Sequence, residues 1–222
     1  MQEPIQDVQN PITTSSSIVA IKYDKGILLA SDRAVSYGTC FKFANVSHFH
    51  QLTPKIVIGC SGEMSDFQDL VNDLIYIVRD YQCKNNGDDL TPIEVSNYIK
   101  RLMYSKRTRM DPFVMKCVLA GVNNDGSLYL TGTDMFGTQW EDNYISLGIS
   151  AYLKGVQLMD SANKSREEAY NALKEVFVGL VARHITMTGL IEFVDVTENG
   201  IKFEKPIEIK PNWDIIDANK WD

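Results

Sequence analysis

The chain is 222 residues long, with 44% apolar, 10% aromatic and 23% charged side chains, and 22 basic against 29 acidic residues leave it at −7. Such a balance belongs to a soluble globular protein of one domain with short arms at most, and excludes disordered, collagen-like and membrane-spanning chains. The acidic excess argues against broad binding to nucleic acid or anionic membranes, leaving only local basic patches.

In chain order, residues 1–14 contain neither a basic segment nor an apolar run of the secretory kind. With no secretory segment, the four thiols, Cys40, Cys60, Cys83 and Cys117, which include no C-x-x-C pair, are expected to be reduced. The run 18–23 is rich in β-branched residues, Asp24-Lys25-Gly26 supplies a turn, and 27–30 returns as the second strand of a hairpin. His48 and His50 alternate as metal ligands can, but no third ligand stands near them; packing is the better reading, and no metal is expected. A third strand is expected over 55–60. Phe67, Leu70, Val71, Leu74, Val78 and Tyr81 then fall on one helical face.

Thr91-Pro92-Ile93-Glu94 is a capping box with proline at the first helical position, and Val95, Ile99, Leu102 and Met103 mark the buried stripe behind it. Asp111-Pro112 ends that helix. Residues 113–122 read as a buried strand, 123–126 as a hairpin turn, 127–131 and 138–147 as further strands, and 148–162 as a helix. Ser165-Arg166-Glu167-Glu168 is a second capping box ahead of an amphipathic stripe from Ala169 to Val181. Two strands, 190–196 and 201–204, flank the turn Glu198-Asn199-Gly200. Strands, helix pair, strands, helix pair, strands is not the alternation of a parallel sheet, so an α+β fold of antiparallel sheets covered by helices is expected.

The last 18 residues, 205–222, show no period, yet carry Trp213, Ile215, Ile216 and Trp221, the composition of a docking arm. No phosphate loop, zinc spacing or dinucleotide fingerprint occurs, so no cofactor is expected. Lys100, Arg101, Lys106, Arg107 and Arg109 form a basic cluster. It is either a solvated helix end opposing the C-terminal dipole or an electrostatic contact with a neighbouring subunit; without interleaved aromatics, a nucleic-acid site ranks third.

The stretch 16–32, followed by Arg33 and Ser36-Tyr37-Gly38, resembles the opening of a beta-type subunit of the eukaryotic 20S proteasome core. Gly59-Cys60-Ser61-Gly62 with Asp66 is similar to that family's strand-to-helix turn. Pro11-Ile12, the run 107–110 leading into Asp111-Pro112, and Trp213-Asp214 narrow the resemblance to the non-catalytic type called beta-seven. It implies the four-layer αββα sandwich of the N-terminal nucleophile hydrolase type, with an extension over 1–15, a domain over 16–204 and a docking arm over 205–222. The implied partners are other beta subunits in the same and the opposing ring, alpha-ring subunits and assembly chaperones, in cytoplasm and nucleus.

Active members of the family use a free N-terminal threonine whose hydroxyl attacks a peptide carbonyl, with its own α-amine as base and a lysine and an aspartate setting the field. The resemblance places that threonine at Ser16, which follows Ser15 rather than a glycine; Asp32 is retained, the lysine falls on His48, and the serine after Gly148 becomes Ile149. The further aspartate and serine of the family land on His184 and Met187. No catalytic residue is therefore expected. Two rivals stand beside this reading: a threonine peptidase exposing Thr13, Thr14 or Ser16 after processing, and a homomeric compartmentalised protease of bacterial type.

Overall fold

The computed structural model describes residues 13–15, 17–38, 40–153 and 165–210; Ser16, Trp213, Ile215, Ile216 and Trp221 lie outside them. In chain order, β1 (Thr13–Ser15), β2 (Ser17–Tyr23), β3 (Gly26–Asp32), β4 (Val35–Tyr37), β5 (Cys40–Phe43), β6 (Phe49–Thr53) and β7 (Ile56–Glu63) come first. Helices α1 (Met64–Lys84) and α2 (Pro92–Thr108) follow. Next are β8 (Met115–Val122), β9 (Leu128–Thr133), β10 (Gln139–Glu141) and β11 (Tyr144–Gly148), then α3 (Ser150–Leu153) and α4 (Arg166–Arg183). The chain then adds β12 (Leu190–Thr197), β13 (Gly200–Phe203) and β14 (Ile207–Glu208). The strands form two antiparallel sheets, ordered β10-β9-β8-β7-β1-β4-β5 with β6 also on β7, and β11-β2-β3-β12-β13 with β14 also on β12.

Side-chain alternation sets the layers. Along β2, Ile18 and Ala20 point into a cluster shared with Val57, Val118 and Leu130 of the other sheet, whereas Val19 and Ile21 join Leu173, Val176 and Phe177 of α4. A period of two with apolar residues on both faces is what a strand buried on both sides requires. A third cluster packs Leu70 and Leu74 of α1 and Ile99 and Met103 of α2 on the outer face of the first sheet. The fold is thus α+β, with apolar contact between the sheets and a helix cover on each outer face.

Both capping boxes form: Thr91 Oγ1 with Glu94 opens α2, and Ser165 Oγ with Glu168 opens α4. Arg166, in the first turn of α4, donates to Asp195 at 2.6 Å and also bonds Glu204, and Asp195 accepts the Tyr23 hydroxyl at 2.7 Å. This network ties the helix to β2, to β12 and to the residue that follows β13.

Several expectations need correction. The strand expected over 138–147 is two strands in different sheets: β10 pairs β9, whereas β11 pairs β2. The break falls at Asp142-Asn143, where the Asp142 carboxylate accepts the Asn143 amide at 2.6 Å and the Asn143 carbonyl accepts from Lys22. Strands β1, β4, β5 and β6 were not foreseen. The helix expected over 148–162 is α3 at its start, and 154–164 lie outside the described residues. The folded body also exceeds 16–204 at both ends, because β1 lies within the first sheet and β14 pairs β12 with Ile209 buried behind it. Phe177 is fully buried at the centre of the α4 cluster. Phe177→Ala should therefore cost about 3–5 kcal/mol, read as a lowered midpoint in urea denaturation.

Candidate functional site

Where β2 begins, polar residues interrupt the apolar runs. Ser17, Ser31, Asp32, His48 and Ser150 are each 0% exposed. Pairing of β2 with β3 and with β11 brings them together: Ile18 faces Ser31, and Ser17 faces Gly148. The Ser31 hydroxyl lies 3.0 Å from the Ser17 carbonyl, 2.8 Å from the Asp32 carbonyl and 2.8 Å from His48 Nδ1. Ser150 donates its amide to Ser17 Oγ at 3.1 Å and its hydroxyl to the Leu147 carbonyl at 2.8 Å. The Asp32 carboxylate accepts the Ala34 amide at 3.3 Å and lies 3.9 Å from His48 Nδ1.

A serine, an aspartate and a histidine thus meet, but not as a charge-relay triad. That device needs nucleophile and acid on opposite ring nitrogens. Here Ser31 and Asp32 both face Nδ1, and the buried Nε2 has no hydrogen-bond partner among the described residues. Burial, aided by the Arg33 guanidinium, pushes the His48 ring down to about 4, so it is neutral at physiological pH. It cannot supply the positive charge of the lysine that the resemblance places there. Arg33 itself is held by the buried Glu192 carboxylate at 2.6 Å, which also accepts from Ser47 at 2.7 Å.

The positions inferred from the sequence converge only in part. Asp32 and His48 are neighbours, 3.9 Å apart. Ile149 sits beside Ser150 and lines a cleft of about 600 Å³ together with Thr14, Ser36, Gly62, Met115 and His184. His184 closes α4 and its Nδ1 lies 3.0 Å from Thr186 Oγ1; Met187 is buried in the α4 cluster. Neither supplies a carboxylate or a hydroxyl. Ser17, Ser31 and Ser150 were missed, and the available signal was a hydroxyl placed at the end of an otherwise apolar strand.

The same cleft carries a strand of its own chain. β1 lies between β4 and β7: Thr14 opposes Ser36 on one side and Glu63 on the other, and Ser15 opposes Val35 and Gly62. Gly62 is required there, since φ is +129° and a Cβ would stand 2.5 Å from the Val114 carbonyl oxygen. An extended peptide would need this slot to hydrogen-bond both edges, and residues 13–15 already fill it. Cys60 and Cys117 are cross-strand partners, both buried, and burial pushes the Cys117 thiol up to about 12. Neither is poised as a nucleophile.

His48 fixes a pH dependence. Its ring has a value near 6.5 when unfolded and about 4 when folded, so the unfolded chain takes up the proton first as pH falls. Stability should be full above pH 6.5 and decline towards pH 4, by roughly 3 kcal/mol from this group. His48→Gln should flatten that slope in melting curves taken across this window. A residual slope would come from His50 and His184, which burial also lowers.

Comparison with known proteins bears on the whole of this arrangement. A family model described as proteasome subunit matches residues 12–192, a span that includes β1, the buried polar group and most of both sheets. Proteasome subunit beta type-4 of Arabidopsis thaliana is 32% identical over 216 residues, covering 96% of this chain and 87% of the relative. Proteasome subunit beta type-4 of Dictyostelium discoideum is 31% identical, covering 92% and 80%, and proteasome subunit beta type-7 of Saccharomyces cerevisiae is 29% identical, covering 96% and 85%. With the match running from β1 into β12 and the relatives aligned over nearly the full length, the chain belongs to the proteasome subunit family.

Proposed function

We propose that the chain is a non-catalytic, structural beta subunit of the 20S proteasome core particle, built on the four-layer αββα sandwich of the N-terminal nucleophile hydrolase type. The layering of two facing sheets beneath helices supports the fold assignment. The observation that carries the inert reading is β1: the segment ahead of position 16 is a strand inside the sheet, in the slot an extended substrate would use. A residue at position 16 preceded by that strand has no free α-amine to act as base. The neutral, buried His48 in the lysine's place and Ile149 in the serine's place point the same way.

The chain then contributes walls and joints to ubiquitin-linked protein degradation in cytoplasm and nucleus. Its neighbours would be beta subunits of the same and the opposing ring and alpha-ring subunits, with assembly chaperones during maturation. The segment beyond the folded body, 211–222, would reach onto beta subunits across the ring interface, anchored by Trp213 and the pair Ile215 and Ile216.

Two experiments test this. A mechanism-based threonine probe should leave the chain unlabelled inside the active particle; covalent labelling of a chain whose intact mass begins at Thr13, Thr14 or Ser16 would establish the peptidase instead. Truncation before Trp213 should slow the joining of half-particles on native gels, and unchanged assembly would remove the arm from the account.

A further inference from the structure

The basic cluster at the end of α2 is a shaped surface. The helix dipole acts only over the last turn, so it accounts for Lys106 and Arg107 but not for Lys100 and Arg101 two turns earlier. Lys106 is turned inward, 4.0 Å above the Phe113 ring and within 3.9 Å of Asp69 and 3.7 Å of Asp111. Among the described residues, Lys100, Arg101, Arg107 and Arg109 make no ion pair, and all four are exposed. Four cations without an ion pair gather positive charge at this end of a chain whose net charge is −7.

The basic run is not without aromatics, contrary to the expectation above: Tyr104 lies within it between Arg101 and Lys106, and the fold adds Phe136. Lys100, Tyr104 and Arg107 lie on one helical face at steps of four and three, and the turn between β9 and β10 brings Phe136 beside them. The Arg107 guanidinium lies 5.9 Å from the Tyr104 ring and 5.7 Å from the Phe136 ring, although those rings are 58% and 51% exposed. The turn is fixed: Asp134 accepts the amides of Phe136 and Thr138 at 2.9 and 2.8 Å, which occupies its carboxylate. Gly137, at φ +81°, lies against the helix so closely that a Cβ would stand 3.0 Å from the Lys100 carbonyl and the Tyr104 amide. An arginine within 6 Å of two exposed aromatic rings is the composition of an interface centre.

We infer that the face formed by Lys100, Tyr104, Arg107 and Phe136 docks an acidic segment of another protein chain, with a carboxylate on Arg107 and an apolar side chain against the two rings. The inference rests on the proposed membership of a multisubunit particle. A two-fold contact between copies of this chain would set like charges against each other. Nucleic acid is disfavoured because the chain as a whole carries a net charge of −7, which opposes a polyanion.

The test is a photo-crosslinking amino acid at position 136 of the otherwise intact chain, read within assembled particles, alongside the pair Lys100→Glu and Arg107→Glu. The expected result is a crosslink to an acidic segment of a different subunit. The double variant, with an unchanged melting temperature, should enter the particle roughly tenfold less well, a deficit that grows at low salt. Crosslinks to nucleic acid, to a second copy or to no chain at all, or wild-type incorporation of a folded double variant, would overturn the surface. Should the double variant not fold, the crosslink alone decides. A wild-type chain found in no heteromeric particle would instead defeat the proposed function.

Discussion

The hairpin of β2 and β3 has no face in water, and this one condition shapes the rest of the molecule. Every residue of β3 is buried, and alternate residues must satisfy two different apolar environments, one between the sheets and one beneath α4. Two opposed sheets and a helix cover are the direct consequence. The same condition governs the polar residues at the hairpin's end. Ser17, Ser31 and Asp32 cannot reach solvent, so each must find a partner inside, because a buried polar group left unpaired costs about 1–3 kcal/mol. They find them in backbone carbonyls and amides, in Ser150 and in the His48 ring.

That solution explains how a site with the right residue types can be chemically silent. A catalytic hydroxyl must be reachable and must have a base aligned on it. The Ser31 hydroxyl is enclosed, and its neighbouring ring is held neutral by burial. Hydrogen bonds that would organise catalysis in an open cleft hold the end of a hairpin together instead. Outside this hub, β1 completes the first sheet, so the edges of β4 and β7 are paired within the chain.

What the sequence made legible followed from strong periodicity. The stripes of α1, α2 and α4, both capping boxes and the apolar strands β2, β3, β12 and β13 all rest on local pattern. The short strands β1, β4, β5, β6 and β14 have no such pattern, because each is only two to five residues long, too short for a period to register. The division of 138–147 between two sheets falls at the polar run Glu141-Asp142-Asn143, a turn signal that the reading as one strand passed over. Asp32 and His48 were singled out by the resemblance, and the fold sets them side by side. Ser31 and Ser150 had no comparable signal. The basic cluster was visible, but Phe136, which turns it into an aromatic platform, reaches it only through the β9–β10 turn.

The central claim is that this chain works as an inert member of a larger particle rather than as a free-standing enzyme. Native mass spectrometry of the material purified from its own cells tests it most directly. The account predicts a heteromeric particle in which this chain stands beside several different subunits. A lone chain, or a ring made only of copies of it, would contradict the account.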